Sequence, residues 1–266
     1  MEPPTYLANK NKHERDERIA FDEPTHTYTI DGDSDYMSVT TFVHSHFAHF
    51  DADKIIDKMM KGRNWKPGYK YYGMTKEEIK DMWSKNGKEA SEAGTKMHYD
   101  IECFYNECPN ENNSIEYTYF KNFQQTYSYL IPYRTEWTVF DKELKIAGSI
   151  DMVFQNEDGS LLIYDWKRCK DITKTTSFNK YSNNSLISHI PDTNFWHYSL
   201  QLNVYKHILE KNYGVSVTDL YLVCLHPNKE NYRRIKVANL SQEVKELFEQ
   251  RKQKVVDAVE KKMTEK

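Results

Sequence analysis

The sequence predicts an α/β fold, in which a central mixed β-sheet is flanked by helices and preceded by a mostly helical extension. Two apolar runs, residues 146–154 and 161–167, are joined by an Asn-Glu-Asp-Gly turn signal, which predicts a β-hairpin. Longer stretches on both sides of this hairpin have helical periodicity. The chain has 266 residues, of which 38% are hydrophobic, so it is long enough to bury a substantial core.

The N-terminal part, residues 1–85, is expected to form the extension, and residues 86–266 the core domain. Two short strand-like runs between Arg18 and Val43 predict a hairpin, after which Ser38 is a candidate helix cap. The following segment from Asp51 to Asp81 is rich in Lys and Met, and it predicts short helices joined by a loop.

The core domain begins with two expected helices, over residues 86–107 and 115–133, and a strand pair over residues 135–149. After the hairpin, the sequence predicts a helix around residues 197–209 and two strands over residues 217–227 and 232–238. The last segment, residues 241–262, has apolar residues at helical spacing, so it is expected to pack on the sheet as an amphipathic helix.

The second strand of the hairpin ends in the charged tripeptide Asp165-Trp166-Lys167. Alternation along a strand places Asp165 and Lys167 on one face of the sheet and Trp166 on the other. An ordinary ion pair at a strand end would explain these two charges, and such pairs are common and contribute little.

The first strand of the hairpin carries a lone acid, Asp151, among apolar residues and close to Gly148. A buried, unpaired carboxylate is costly, and a divalent cation shared with Asp165 would remove that cost. Oxygen ligands favour magnesium or manganese over zinc.

An Asp on one strand and Asp-x-Lys on the next resembles the PD-(D/E)XK phosphodiesterases. The matching segments are "GSIDMV" and "LLIYDWK", with Ile150 where the family name has Pro. Within the superfamily the sequence is most similar to the RecB-like branch, which includes lambda-type and CRISPR-associated exonucleases. Gly94 and His98 resemble that branch's Gly-x-x-x-His helix, and Gln201 and Tyr205 its Gln-x-x-x-Tyr helix.

This resemblance implies a restriction-endonuclease-like core and a metal-dependent deoxyribonuclease. An exonuclease that acts on DNA ends in repair, recombination or defence is favoured over a structure- or strand-specific endonuclease. The cofactor would be Mg²⁺ or Mn²⁺. The resemblance implies catalytic roles for Asp151, Asp165 and Lys167. It implies a metal site formed by His98, Asp151, Asp165 and the Trp166 carbonyl, and substrate binding by Gln201, Tyr205 and Arg168. Glu102 and Glu136 are weaker candidates for the site.

Two alternatives from other classes stay open at this point. The chain could be a nucleic-acid-binding relative that has lost the chemistry, although the presence of all three catalytic candidates argues against that. It could also be an unrelated α/β protein with a structural ion-pair network, which leaves the placement of His98, Gln201 and Tyr205 unexplained.

The net charge of −3 means that any contact with DNA must be local. Residues 167–184 are expected to form a mobile basic flap that carries Lys167, Arg168, Lys170, Lys174 and Lys180 with the aromatics Phe178 and Tyr181. A second basic run contains Lys61, Arg63, Lys66 and Lys70. Two interpretations of this run stay open: its side chains contact the DNA backbone, or they form a solvated surface.

The four cysteines include no Cys-x-x-Cys pair, so reduced thiols and no iron–sulfur cluster are expected. Because the chain has no Walker loop, a separate helicase or recombination protein is the expected partner, and a homo-oligomer stays open. No apolar run or signal sequence indicates a membrane, so we expect a soluble intracellular protein of the cytoplasm or nucleoplasm. The composition, rich in Lys, Asn and Tyr, is compatible with a viral protein in a host cell.

Overall fold

The computed structural model describes residues 4–108, 111–176 and 180–264. The chain forms two compact units, a larger one of Met1–Ala48 with His98–Lys266 and a smaller one of His49–Met97. This division falls elsewhere than the expected boundary between residues 85 and 86, and it groups residues 4–48 with the sheet. The assignment of residues 86–266 as a nuclease core stays a prediction.

The smaller unit consists of helix α3 (Ala52–Met60), a loop, and the first part of helix α4 (Lys76–Tyr105). The Asp51 carboxylate caps α3 by accepting from the Lys54 amide at 3.0 Å. Thr75 and Glu78 form a capping box at the start of α4, since each side chain accepts from the other residue's amide. Ion pairs from α4 lysines to α3 aspartates join the two helices.

The larger unit is built on a six-stranded sheet whose central members are β5 (Ile146–Gln155), β6 (Leu161–Lys167) and β7 (Val217–Cys224). β5 and β6 are antiparallel, whereas β6 and β7 are parallel. The outer strands are β3 (Met37–Ser38), β4 (Ile131–Asp141) and β8 (Arg233–Lys236). This topology confirms the predicted mixed sheet and places β6, with its charged end, in the interior of the sheet.

The remaining elements of the described residues are a separate hairpin of β1 (Ile19–Asp22) and β2 (Thr27–Ile30), five α-helices, and two short 3-10 helices, Asp16–Arg18 and Ser185–Ile187. The α-helices are α1 (Tyr6–Lys10), α2 (Val39–His44), α5 (Ile115–Thr126), α6 (Asn194–Asn212) and α7 (Ser241–Thr264). The Ser38 hydroxyl accepts from the Thr41 amide at 3.0 Å and caps α2, as the sequence predicted. None of the helices in the described part of the chain is both long and apolar enough to cross a lipid bilayer.

Two predicted helix boundaries were wrong. The helix expected over residues 115–133 ends at Thr126, and Pro132, whose ring nitrogen has no hydrogen to donate, lies in β4 instead. The helix expected to begin at residue 86 begins ten residues earlier, at Lys76, because the Thr75 capping box starts it there.

Alternation along β6 separates two packing environments. Trp166 points to an aromatic cluster on one face, where the rings of Phe120 and Phe123 lie 5.7 and 5.3 Å from it. The opposite face packs against α6, and there Lys167 Nζ lies 4.6 Å from the ring centre of Tyr198. Both faces of the sheet are therefore covered, and the charged end of β6 points to the α6 side.

Close packing at Gly148 on β5 brings α6 against the sheet. A Cβ atom at this position would lie 2.8 Å from the Tyr205 hydroxyl oxygen and 3.0 Å from Val39 Cγ2. Both neighbours are buried, with exposed fractions of 3% and 0%. A side chain at residue 148 would therefore push α6 away from the strand that carries Asp151.

We expect Gly148→Ala to lower the free energy of unfolding by about 1–3 kcal/mol, because the added methyl overpacks this contact. Urea denaturation followed by circular dichroism measures the effect. Gly87→Ala is the matched control: Gly87 lies inside α4 with no atom within 4 Å of an added Cβ, so that variant should be neutral or more stable. Equal midpoints for Gly148→Ala and the wild type would contradict the proposed contact.

Candidate active site

Asp151 on β5 reaches across the hairpin to the backbone of β6. Its Oδ2 atom accepts a hydrogen bond of 2.9 Å from the Trp166 amide. This bond fixes the first predicted carboxylate beside the second, because Asp165 precedes Trp166 in the chain. Burial raises the pKa of Asp151, while the positive charge of His98 opposes that shift.

Asp165 and Lys167 form a buried ion pair at the end of β6, with Lys167 Nζ 2.6 Å from Asp165 Oδ2. Burial and the nearby charge of Asp151 raise the pKa of Asp165. Burial alone would lower the pKa of Lys167, but the charges of Asp165 and Asp151 outweigh it and hold that pKa above its usual range. Lys167 is therefore an ammonium ion at neutral pH.

His98 on α4 lies between the carboxylates and the backbone of β6. Its Nε2 atom is 2.9 Å from the Trp166 carbonyl oxygen, and its Nδ1 atom is 3.5 Å from Asp151 Oδ2 and 3.7 Å from Glu136 Oε1. Burial opposes protonation of the imidazole, but Asp151 and Glu136 together raise the pKa of His98 to about 9. At neutral pH the imidazolium therefore donates to the carbonyl that the sequence proposed as a metal ligand.

Glu136 has an unusual backbone conformation for a residue in a strand. It lies in β4 with φ of 42°, a left-handed conformation that costs a non-glycine residue about 1–3 kcal/mol. Its neighbours Thr135 and Trp137 keep their register with β5. The Glu136 Oε2 atom accepts from the Ser149 hydroxyl at 2.9 Å. The strained backbone directs the carboxylate to His98, and strain of this kind is concentrated at functional sites.

Three of the candidates can hold a metal ion together. His98, Glu136 and Asp151 each offer one ligand atom, and these atoms lie within 4.8 Å of one another. Two carboxylates and an imidazole suit Mn²⁺ and Mg²⁺, with the imidazole favouring Mn²⁺. A metal at the imidazole would replace its proton, since ligands bind in their deprotonated form. Asp165 is outside this group because its carboxylate faces Lys167, so its role as a ligand stays a prediction.

Glu102, the weaker candidate one turn after His98, is 9% exposed. Burial and the charge of Glu136 raise the pKa of Glu102 to about 8. The protonated carboxyl that this favours at neutral pH is a poor metal ligand. Among the described residues, Glu136 belongs to the group that could hold a metal ion, and the functional roles of Glu102 and Glu136 both stay predictions.

The three predicted substrate-binding residues lie in different surroundings. Tyr205 is buried against Gly148, and Gln201, one turn earlier on α6, is half-buried. Arg168 donates to the Glu116 carboxylate at 2.6 Å and thereby ties the end of β6 to the first turn of α5. Tyr205 and Arg168 therefore both contact other residues of the protein, Tyr205 at Gly148 and Arg168 at Glu116. Substrate binding by these residues stays a prediction.

Sequence reasoning missed two features near the end of β6. Tyr198, whose ring lies beside Lys167, is three residues before Gln201, so its helical spacing could have placed it on the same face of α6. The sulfur atoms of Cys169 and Cys224 lie 3.8 Å apart, which no sequence spacing indicated. The expectation of no iron–sulfur cluster stays a prediction.

The predicted basic flap is anchored at both ends. The Trp196 indole donates to the Lys174 carbonyl at 2.8 Å, and the Ser182 hydroxyl donates to the His46 carbonyl at 2.7 Å. Phe178, one of its predicted aromatics, lies outside the described residues. Mobility of the segment between these anchors stays a prediction.

A sequence profile of the PD-(D/E)XK nuclease superfamily matches residues 77–265 of the chain. The chain belongs to this superfamily. Its members use divalent metals, in agreement with the ligand group at Asp151. No curated protein shows a significant sequence match to the chain.

Two solved structures are distantly similar to this superfamily member. SSO0001 is 12% identical with a TM-score of 0.35, and the match covers 82% of this chain and 76% of that one. A Eubacterium rectale protein provisionally named an exonuclease is 11% identical with a TM-score of 0.37, with 85% and 80% covered.

We expect Mn²⁺ to raise the melting temperature of the protein, because a ligand that binds only the folded state stabilises it by about 2.7 kcal/mol at 100 times its Kd. Asp151→Asn should abolish this shift, and Glu136→Gln should reduce it. Differential scanning fluorimetry with and without EDTA measures both.

Asp257→Asn, at an exposed carboxylate on α7, is the matched control and should keep the full shift. An undiminished shift in Asp151→Asn would show that Mn²⁺ binds elsewhere.

Proposed function

We propose that this nuclease-superfamily protein is a metal-dependent deoxyribonuclease of the RecB-like branch, which acts as an exonuclease on DNA ends. The observation that carries the proposal is the convergence of His98, Glu136 and Asp151 around one point, beside the buried Asp165–Lys167 pair. Mg²⁺ or Mn²⁺ would be the cofactor and DNA ends the substrate, supplied by a separate helicase or recombination protein.

The hydrolysis adds charge to a phosphate that is already anionic, so the site must supply positive charge and an oriented water. A bound metal ion would supply Lewis-acid polarisation of the phosphate and a more acidic water. His98, Glu136 and Asp151 would hold that ion, and the Asp151 bond to the Trp166 amide keeps its carboxylate in place.

The surroundings of Lys167 restrict the catalytic roles that this residue can have. A protonated ammonium cannot take a proton from water, so Lys167 would act as a donor that orients the water or stabilises charge on the phosphate. Asp165, 2.6 Å away, would fix the direction of this ammonium, and the face of Tyr198 supports it from the other side.

The choice of exonuclease rests on the resemblance to the RecB-like branch, and a structure- or strand-specific endonuclease is the second candidate. A non-catalytic DNA-binding relative is disfavoured, because Asp151, Asp165 and Lys167 are all present and lie together. An end-labelled linear substrate and a closed circle distinguish these possibilities.

Lys167→Ala should lower the rate of metal-dependent DNA cleavage at least about 100-fold, a loss typical of removing one group that stabilises transition-state charge. The assay is digestion of end-labelled linear single- and double-stranded DNA beside a closed circular plasmid, with Mg²⁺, Mn²⁺ or EDTA. An exonuclease degrades the linear DNA and spares the circle.

Lys245→Ala, at an exposed lysine on α7, is the matched control and should retain activity. Because Lys167→Ala also leaves Asp165 buried without its counter-ion, folding of each variant is checked by circular dichroism. Nicked circles would favour the endonuclease, and DNA binding without cleavage by the wild type would overturn the nuclease proposal.

His98→Ala should lose activity mainly through weaker metal affinity, since the carboxylates remain. Raising the Mn²⁺ concentration should therefore restore part of the rate, measured as the metal concentration for half-maximal cleavage. A rate that stays low at saturating Mn²⁺ would contradict the ligand role of His98.

A further inference from the structure

The loop between α3 and α4 differs in charge from the rest of the chain. Residues 61–75 contain four Lys or Arg and no Asp or Glu, although the whole chain has 37 basic and 40 acidic residues. The same short segment contains four aromatic residues. The basic and aromatic residues of this loop are Lys61, Arg63, Lys66, Lys70, Trp65, Tyr69, Tyr71 and Tyr72.

The aromatic side chains form a continuous row within the smaller unit, which we call the aromatic platform. Adjacent ring centres are between 5.8 and 6.1 Å apart. The Trp83 indole on α4 donates to the Tyr71 hydroxyl at 3.1 Å and fixes the loop to the helix. The platform consists of Tyr72, Trp65, Tyr69, Tyr71, Trp83 and Phe50.

The platform is not a closed core. Tyr72 is 47% exposed and Phe50 is 64% exposed, and Trp65 and Tyr69 are only half-buried. The fully buried apolar side chains of this unit, among its described residues, are Ile56, Ile79 and Met97, which are all aliphatic and lie on α3 and α4. Aromatic surface is therefore left in contact with solvent.

The loop cations are available to a ligand. Lys61, Arg63 and Lys66 are exposed and form no ion pair within the described residues. Two lysines in the first turns of α4, in contrast, are paired with carboxylates of α3, Lys76 with Asp57 and Lys80 with Asp53. Lys70 Nζ lies 5.1 Å from the Tyr71 ring centre, so charge and ring surface occur side by side.

We propose that this loop binds single-stranded DNA through base stacking on the platform and phosphate contacts to the loop cations, and the proposal rests on the nuclease function proposed above. A polyanion with unpaired, flat rings matches both features at once. Duplex DNA offers its phosphates but keeps its bases stacked on each other, so it uses the cations alone. The platform thus adds affinity for single strands that is separate from the catalytic residues.

The experiment measures fluorescence anisotropy of a labelled single-stranded 20-mer and of the corresponding duplex, with the full chain in EDTA so that no cleavage occurs. The double variant Tyr72→Ala/Trp65→Ala should weaken single-strand binding at least about five-fold, as expected for a lost stacking contact. Duplex binding should change less than two-fold. Tyr129→Ala, at a tyrosine that is 70% exposed elsewhere in the chain, is the matched aromatic control and should bind both DNAs normally.

A second pair of variants removes charge without touching the rings. Lys61→Gln/Lys66→Gln should lower the slope of log affinity against log salt for the single strand by about 1.4, since each phosphate contact contributes roughly 0.7. Lys85→Gln/Lys88→Gln on α4 makes the same change in net charge and should leave the slope unchanged. These exposed lysines allow the test even where the loss of Trp65 disturbs folding.

Unchanged single-strand affinity in the Tyr72→Ala/Trp65→Ala and Lys61→Gln/Lys66→Gln variants would overturn the proposal, as would an equal loss for single strand and duplex. Binding of the loop to phosphatidylserine vesicles, with no effect of the variants on DNA, would replace it with a membrane contact. The two proposals fail separately: a wild type that binds single strands through the platform without cleaving them overturns only the nuclease function. Normal cleavage with unaffected binding overturns only the platform.

Discussion

The hydrogen bond from the Trp166 amide to the Asp151 carboxylate is the constraint on which the site depends. It joins β5 to β6 just beyond the last pair of the ladder between them, Met152 opposite Tyr164, where charged side chains replace apolar ones. A buried charge is costly unless it is paired and hydrogen-bonded, and each charge here has a partner. Asp165 lies against Lys167, and Asp151 shares the His98 imidazolium with Glu136.

The same balance of charge would apply to a metal ion bound by His98, Glu136 and Asp151. The imidazolium holds one positive charge between two carboxylates, and a divalent ion at the same place would hold two. The strained backbone at Glu136 and the close packing at Gly148 are then the structural cost of this geometry. The first places the Glu136 carboxylate near His98, and the second holds α6, the helix that carries Tyr198, against the sheet.

DNA cleavage and single-strand binding would use different kinds of structure. Bond cleavage would use side chains on strands and long helices, where hydrogen bonds and burial fix each group. Strand recognition would use a loop whose cations and rings are exposed, where a ligand with a flexible backbone can be accommodated. Stacking is tolerant of base identity, so such a surface suits a nuclease that must hold any sequence.

The sequence by itself determined the mixed α/β fold and the hairpin, because alternation along a strand and local turn chemistry are short-range properties. The catalytic roles of Asp151, Asp165 and Lys167 were predicted from the resemblance to a nuclease family and stay predictions. Two helix ends were predicted wrongly. The capping box at Thr75 starts α4 ten residues earlier than expected, and α5 ends before Pro132, which lies in β4. Only the tertiary structure decided that Glu136 joins His98 and Asp151 while Asp165 faces Lys167. These groups come from separate elements, and the distances among them are set by long-range packing that no spacing along the chain encodes.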